Sequence, residues 1–352
     1  MTEARLQLQQ TIRDAIAVIE RTRSFIAAIV DADGVLKGIV SDGDIRRALL
    51  AGCGLDDGVA KAMTVRPLLG DASDSREELQ RRMLELGVAA LPVVDNCGRF
   101  VRIAQVNDEH PGRGAASQAD RYWGAVIMAG GEGRRLRPMT ADLPKPMIPV
   151  GGMPLLERQI RGMVLRGIRR IFISTNYLGH MIEDHFGDGT TFDAEIVYLR
   201  EKEKLGTAGA LSLMPERAQG PLLVINGDIL SASDYGRMLD FHVEHGDFLT
   251  VATIDYRVEI PFGVIKANGV CATGLEEKPS QHYLCNAGIY VLSPPALDMV
   301  PQARFFNMTD LIANAIADQR SVSVFPIHEY WTDIGSPGDL LAAQNIFQRT
   351  QK

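Results

Sequence analysis

Residues 29–44, IVDADGVLKGIVSDGD, align without a gap on residues 93–108, VVDNCGRFVRIAQVND. Such a repeat constrains the fold strongly, because each copy must build the same supersecondary unit and bury its apolar face against a neighbour. Both copies have an apolar pair ending in an aspartate (Asp31, Asp95), a turn glycine (Gly34, Gly98), an apolar strand and a closing aspartate (Asp44, Asp108). A helical stretch precedes each copy, and RRALLAG follows the first. Each copy is expected to run helix, strand, tight turn, strand and helix. Residues 1–110 make up this region. The segment that follows, DEHPGRGAASQADRYW (Asp108–Trp123), mixes Pro, Gly, Ala, Ser and charge without apolar periodicity, so residues 111–122 read as a linker.

Residues 123–352 have another character. The apolar runs GAVIMAG, RRIFIST, EIVYL, PLLVING and DFLTVATI alternate with the amphipathic stretches LLERQIRGMVLRG, AGALSLM and DYGRMLDFHVEHG. That alternation predicts an α/β fold with a mixed, mostly parallel sheet and ligand chemistry at the strand C-termini.

GAVIMAG leads into a loop whose text is MAGGEGRRLRPMTADLPKPMIP, Met128–Pro149. Gly130, Gly131 and Gly133 let backbone N–H groups approach an anion closely. The spacing is neither a Walker A loop nor the dinucleotide fingerprint G-x-G-x-x-G. Arg135, and Lys145 held between two prolines, add fixed cations that suit a triphosphate. Arg134 and Arg137 read as solvated or structural.

Bulk properties exclude several classes. A net charge of −7 gives no general attraction to nucleic acid or to an anionic membrane. The N-terminal residues mix charges into an apolar helical pattern and hold no uninterrupted apolar segment, so a cytoplasmic protein is expected. Cys53, Cys97, Cys271 and Cys285 lie far apart and suit neither a zinc site nor a disulfide framework. His242 and His245, three apart on a helix, lack a third ligand and are expected on an exposed face.

The repeat resembles a cystathionine-β-synthase (CBS) domain pair, a module that senses adenine nucleotides or mediates dimerisation. Its first copy has the G-h-h-S-x-x-D pattern (h apolar) as Gly38-Ile39-Val40-Ser41-Asp42-Gly43-Asp44. The resemblance implies that Ser41 lies near a phosphate and that Asp44 and Asp108 meet ribose hydroxyls. In the second copy Arg102 stands for the glycine and Gln105 for the hydroxyl residue. An adenine nucleotide at this pair and a homo-oligomer are both expectations of the resemblance.

The run AGGEGRRLRPMTADLPKP resembles the signature of sugar-1-phosphate nucleotidyltransferases, and the match continues in that family's order. It takes in EKEKLGTAGAL, VINGDIL, FGVI, EEKP, NAGIYVL and WTDIGSP. The wording is similar to mannose-1-phosphate and glucosamine-1-phosphate guanylyltransferases. The resemblance implies a Rossmann-like nucleotidyltransferase domain behind a CBS pair. It also implies Mg²⁺-dependent, in-line attack of a sugar 1-phosphate on the α-phosphorus of a nucleoside triphosphate, in nucleotide-sugar biosynthesis for cell-surface polysaccharide. By position, Arg135 and Lys145 would grip the triphosphate, Asp228 and Asp333 would ligate the metal, and Lys278 would bind the sugar phosphate. Met128, Ala129, Gly130, Gly131, Gly133, Glu201, Gly206, Thr207, Ala208, Asn226 and Gly227 would bind the nucleotide. Gly263, Glu277, Asn286 and Gly288 would meet the sugar.

Glutamine is common in uridylyl- and thymidylyl-transferring relatives where this chain has Glu201. An ionised carboxylate is an acceptor-only fork that fits the adjacent N1–H and N2–H₂ donors of guanine, which favours GTP. UTP, dTTP or CTP, and a catalytically silent sensor, are the alternatives. The sugar is written in no motif. The chain ends at Lys352 without a C-terminal left-handed β-helix, so a bifunctional acetyltransferase is not expected.

Overall fold

The computed structural model describes residues 4–22, 24–86, 88, 90–105 and 121–350. Asp108 and nearly all of the linker lie outside the described residues. The chain divides into two compact units: Met1–Ala115 with Asp255–Cys285, and Ala116–Ile254 with Asn286–Lys352. Residues 255–285 thus leave the C-terminal segment in which they are encoded and gather with the N-terminal repeats.

In the first unit the repeat is visible in three dimensions. Strands Arg5–Gln7, Ile26–Val30 and Leu36–Ser41 form one sheet, and Gly70–Asp71, Ala90–Val94 and Phe100–Gln105 form the other. Each sheet pairs its first two strands in parallel and its last two antiparallel. The register slips at matching positions, Ile29/Val30 and Val93/Val94. Asp31 Oδ1 accepts the N–H groups of Asp33 and Val35, and Asp95 Oδ1 accepts those of Cys97 and Arg99. The turns close on Gly34 and Gly98, both at positive φ (80° and 75°), where a side chain would be strained. The copies also bond reciprocally: Leu36 N–H donates to Gly98 O and Phe100 N–H to Gly34 O. Such reciprocity is the mark of a local two-fold axis.

The copies differ where the sequences differ. Gly38 is covered by Met63 and by the carbonyl of Thr64, 2.6 Å from where a Cβ would stand. Ile39 and Thr64 exchange two backbone hydrogen bonds across this contact. Arg102, at the same place in the second copy, is exposed.

In the second unit the strands lie in the order Glu195–Arg200, Arg170–Thr175, Gly124–Met128, Leu222–Asn226, Ser280–Leu292, Leu249–Glu259 and Val322–Pro326, with only residues 286–292 and 249–254 of the two long strands belonging to this unit. The first four are mutually parallel, and Ser280–Leu292 runs antiparallel to Leu222–Asn226. The strands expected from the sequence are all present. Helices Leu155–Leu165 and Tyr235–His245 are also as expected, the latter capped by the Asp234 carboxylate and ended by Gly246 in a left-handed conformation. AGALSLM is weaker than a full helix: one turn, Gly206–Gly209, passes into the 3₁₀ turn Ala210–Leu213. Side chains such as Ile127, Phe172 and Ile225 are fully buried in the layers packed on the sheet, each worth about 1.5–3 kcal/mol over exposure.

From Gly124–Met128 the chain builds outward to one side, then returns to add Leu222–Asn226 on the other. The order of strands reverses between these two neighbours. In open α/β sheets the crevice for a ligand lies beyond the carboxyl ends at such a reversal. Met128 and Asn226 are cross-strand partners at those ends, so both motifs, MAGGEG and NGD, leave the sheet side by side.

His242 corrects an expectation. It is 2% exposed, not on a solvent face, and its ring bonds Thr250 and Ser293. His245, one turn on, is exposed and stacks on Phe241. The four cysteines are free thiols. Among the described residues no helix is long and apolar enough to cross a membrane.

Candidate active site

A cavity of about 290 Å³ opens beyond Met128 and Asn226 and is lined by Gly130, Gly131, Lys145, Glu201, Thr207 and Asp228, among others. Its floor is set by close backbone approach. Gly227 N–H donates to Met128 O (2.8 Å), and a Cβ on Gly227 would stand 2.7 Å from that oxygen. Gly130 similarly admits the Glu201 carboxylate. Among the described residues the N–H groups of Gly130, Gly131 and Gly133 have no acceptor. Unpaired amides on a glycine turn form an anion nest.

Beyond the glycines the loop folds back on itself. Gly133, at φ 60°, lies against Lys145 and Thr140, and Thr140 Oγ1 donates to its carbonyl. Leu136 is fully buried in a cluster with Ile148, Val150, Leu155 and Ile334, which anchors the loop between its charges. Lys145 is thereby buried with only its head at the site. Its Nζ is 2.5 Å from Asp228 Oδ2 and 3.9 Å from Asp333 Oδ1.

Asp228 and Asp333 are far apart in sequence but are joined by a two-stranded ribbon. Ile229–Ser231 pairs antiparallel with Trp331–Asp333, and Ile334 N–H donates to Asp228 O. Burial, and then the charge of Asp228, push the Asp333 carboxyl above its ordinary range, with Lys145 and Arg135 pulling the other way. Asp333 Oδ1 is buried without a hydrogen-bond partner among the described residues. Two facing carboxylates with an orphaned oxygen fit a hard divalent cation that takes oxygen ligands. The Arg135 guanidinium lies over Gly335, whose missing Cβ leaves it room, and both border a second cavity with Lys145 and Asp228.

Several expected residues have a more particular placement. Glu201 Oε2 already accepts the N–H of Leu205 (2.9 Å), so the carboxylate is not an empty fork; burial pushes its pKa up. No lysine pairs with Glu201 among the described residues. Lys204 instead joins Arg134 on Glu132, which holds that carboxyl down at about 2. The amides of Thr207, Ala208 and Gly209 are not aimed at a base: they donate to Asn307 Oδ1 and Phe306 O. Ala208 is wholly buried in the core, whereas Gly206 and Thr207 line the cavity. Asn286 Oδ1 accepts the Gly288 N–H, and a Cβ on Gly288 would stand 2.7 Å from Asn226 Nδ2. Gly263, Glu277 and Lys278 belong to the first unit. There Glu277 and Lys278 are exposed, Lys278 has φ 45°, and Gly263 admits the Glu277 carboxylate. Asp44 is engaged: Oδ2 accepts Ser41 N–H and Oγ–H, and Oδ1 accepts Arg47 and Thr64. Together with Ser41 it forms a capping box on helix Asp42–Leu50.

Sequence reading missed Gln159, Phe305 and Glu132. Gln159 Nε2 donates to the carbonyls of Asn226 and Ile229 and so holds both sides of the NGD turn. Phe305 and Glu132 line the cavity. A buried polar residue on the apolar face of LLERQIRGMVLRG was the one available signal for Gln159.

A mostly parallel sheet whose strand order reverses between Met128 and Asn226, with a glycine turn and a Lys–Asp–Asp cluster at its edge, defines an α/β protein with a charged cavity at the carboxyl ends of its strands. The chain belongs to the nucleotidyl transferase family, whose pattern it matches over residues 124–350, and it matches the CBS domain over residues 6–51. A mannose-1-phosphate guanylyltransferase of Mycobacterium tuberculosis is 30% identical over 62% of this chain and 62% of its own length. The catalytic subunit beta of the Drosophila pseudoobscura pseudoobscura mannose-1-phosphate guanylyltransferase is 27% identical over 63% and 62%. The chain therefore spans less than two thirds of the length of these curated relatives. The crystal structure of HddC from Yersinia pseudotuberculosis complexed with GMP-PN is 26% identical, with a TM-score of 0.51 over 64% of this chain and 99% of that one.

Proposed function

We propose that this chain is a Mg²⁺-dependent sugar-1-phosphate nucleotidyltransferase that uses GTP and releases pyrophosphate, with the N-terminal unit as its regulatory partner. The observation that carries the reading is the Lys145–Asp228–Asp333 cluster beside unpaired glycine amides at the sheet's reversal point. Both reactants are polyanions, so the task is to align them and to neutralise charge as the pyrophosphate leaves. The amides of Gly130, Gly131 and Gly133 bind triphosphate oxygens. Lys145 and Arg135 stabilise the charge that grows on the departing pyrophosphate. Asp228 and Asp333 would hold the cation, which when bound supplies Lewis-acid charge at the phosphate oxygens. Lys278 receives the phosphate of the incoming sugar, and Glu277, with Asn286 and Gly288, meets its hydroxyls. No covalent nucleophile is required.

GTP is supported by Glu201, whose carboxylate faces the cavity past Gly130, and by the names of the relatives. Mannose 1-phosphate is the first acceptor to test on the same ground. Incubation with GTP, mannose 1-phosphate and Mg²⁺ should yield a GDP-sugar by mass spectrometry. Glu201→Gln should shift kcat/KM from GTP towards UTP. A wild-type preference for UTP would sink the GTP reading and leave the wider class intact.

A further inference from the structure

Residues 255–285 carry the FGVI and EEKP motifs, yet they pack in one compact unit with the N-terminal repeats. Strands Val264–Asn268 and Cys271–Glu276 form a two-stranded hairpin that is largely exposed. A hairpin of two strands is marginal in water, so its position depends on what its base rests upon.

That base rests on the loop after helix Asp42–Leu50. The His282 ring occupies the place where a Cβ of Gly54 would stand, and Nδ1 of the ring is fixed 3.0 Å from both oxygens of Asp255. Beside it, Asp56 accepts Arg13 from the first repeat and Arg257 from strand Leu249–Glu259, which leads into the hairpin, each at 3.0 Å. The loop cannot shift alone. Asp57 O and Leu55 O accept the N–H groups of Ile12 and Arg13, and Cys53 and Leu55 pack on the core of the first repeat. A cavity of about 210 Å³ lies alongside, between Leu49, Leu50 and Cys53 on one side and His282, Tyr283 and Leu284 on the other. The joint is therefore keyed at Gly54 and Asp56 and left unfilled next to them.

We infer that residues 53–57 are a latch by which the first repeat sets the position of the hairpin, and with it the affinity of the Glu277–Lys278 end for a sugar phosphate. The inference rests on the role proposed above for that end. Exposed ion pairs are weak alone, so the steric key of Gly54 on His282 bears most of the specificity. A change in helix Asp42–Leu50, which runs from the Ser41 cap to this loop, is transmitted through the same joint.

The test uses the full chain. Gly54 needs no left-handed backbone, so Gly54→Ala disturbs chiefly the His282 contact. Gly54→Ala and Asp56→Ala should speed hydrogen exchange at residues 264–276. They should raise KM for the sugar 1-phosphate about fivefold or more while leaving KM for the nucleotide within about twofold. Gly54→Ala with His282→Ala should change both readouts no further than Gly54→Ala alone, since both act on one contact. Exchange as slow as wild type in both single variants overturns the latch, as does an equal rise in both KM values. If the wild-type chain transfers no nucleotide, the proposed function fails, and the exchange rates alone decide whether the latch exists.

Discussion

Lys145 stands between two aspartates, 2.5 Å from one and 3.9 Å from the other, at the mouth of a nest of unpaired amides. Its ammonium offsets their mutual repulsion, and in the function proposed above it is also the cation that meets the triphosphate. Lys145→Ala is predicted to lower kcat by about 10²–10³-fold with a small change in melting temperature. Parallel loss of activity and fold on thermal denaturation would contradict a chemical role. His242 belongs to stability instead. Burial holds its pKa below the ordinary value, so the neutral ring is favoured in the fold. The unfolded chain takes up the proton first; stability is full above about pH 6.5 and falls as the pH drops through the window below it. His242→Gln should lose less stability than wild type across that window, as read from urea midpoints. Equal losses would dissociate His242 from the acid limb.

At the scale of elements, the ribbon of Ile229–Ser231 and Trp331–Asp333 and the helix Leu155–Leu165 place the carboxylates. Gln159→Leu leaves the carbonyls of Asn226 and Ile229 without their donor, at a cost of about 1–3 kcal/mol. Turnover should fall and the Mg²⁺ needed for half-maximal rate should rise; unchanged metal dependence would show that Gln159 only stabilises. This difference in origin explains what was legible in the sequence. The strand and helix periods, the glycine turn, Lys145 and both aspartates could be read because each motif is local and carries its own charge or turn chemistry. Gln159 and Phe305 reach the site only through tertiary packing; a polar side chain on an apolar helix face is the sole local mark of Gln159, and Phe305 has none. The occupied amides of residues 207–209 were hidden for the same reason: their acceptor, Phe306, is distant in sequence. The Ser-x-x-Asp spacing of Ser41 and Asp44 is also that of a helix cap, and that cap is present in the fold.

At the scale of the whole molecule, linear order misleads. The segment 255–285 reads as part of the second half but gathers with the first, because the Gly54–His282 and Asp56–Arg257 contacts join residues far apart in the chain. The two-copy repeat was legible down to Asp31, Asp95 and the turn glycines, while this docking was not, since pattern carries no long-range partner. The second copy, with Arg102 where the first has Gly38, keeps the architecture without the packing that Gly38 permits. The central claim is that the cavity beyond Met128 and Asn226 holds a nucleoside triphosphate for displacement by a sugar phosphate. Pyrophosphate release from GTP should require both mannose 1-phosphate, or another sugar 1-phosphate, and Mg²⁺, and should be abolished in Asp228→Asn. Absence of release from every pair of nucleoside triphosphate and sugar 1-phosphate, or release that persists in Asp228→Asn, would contradict it.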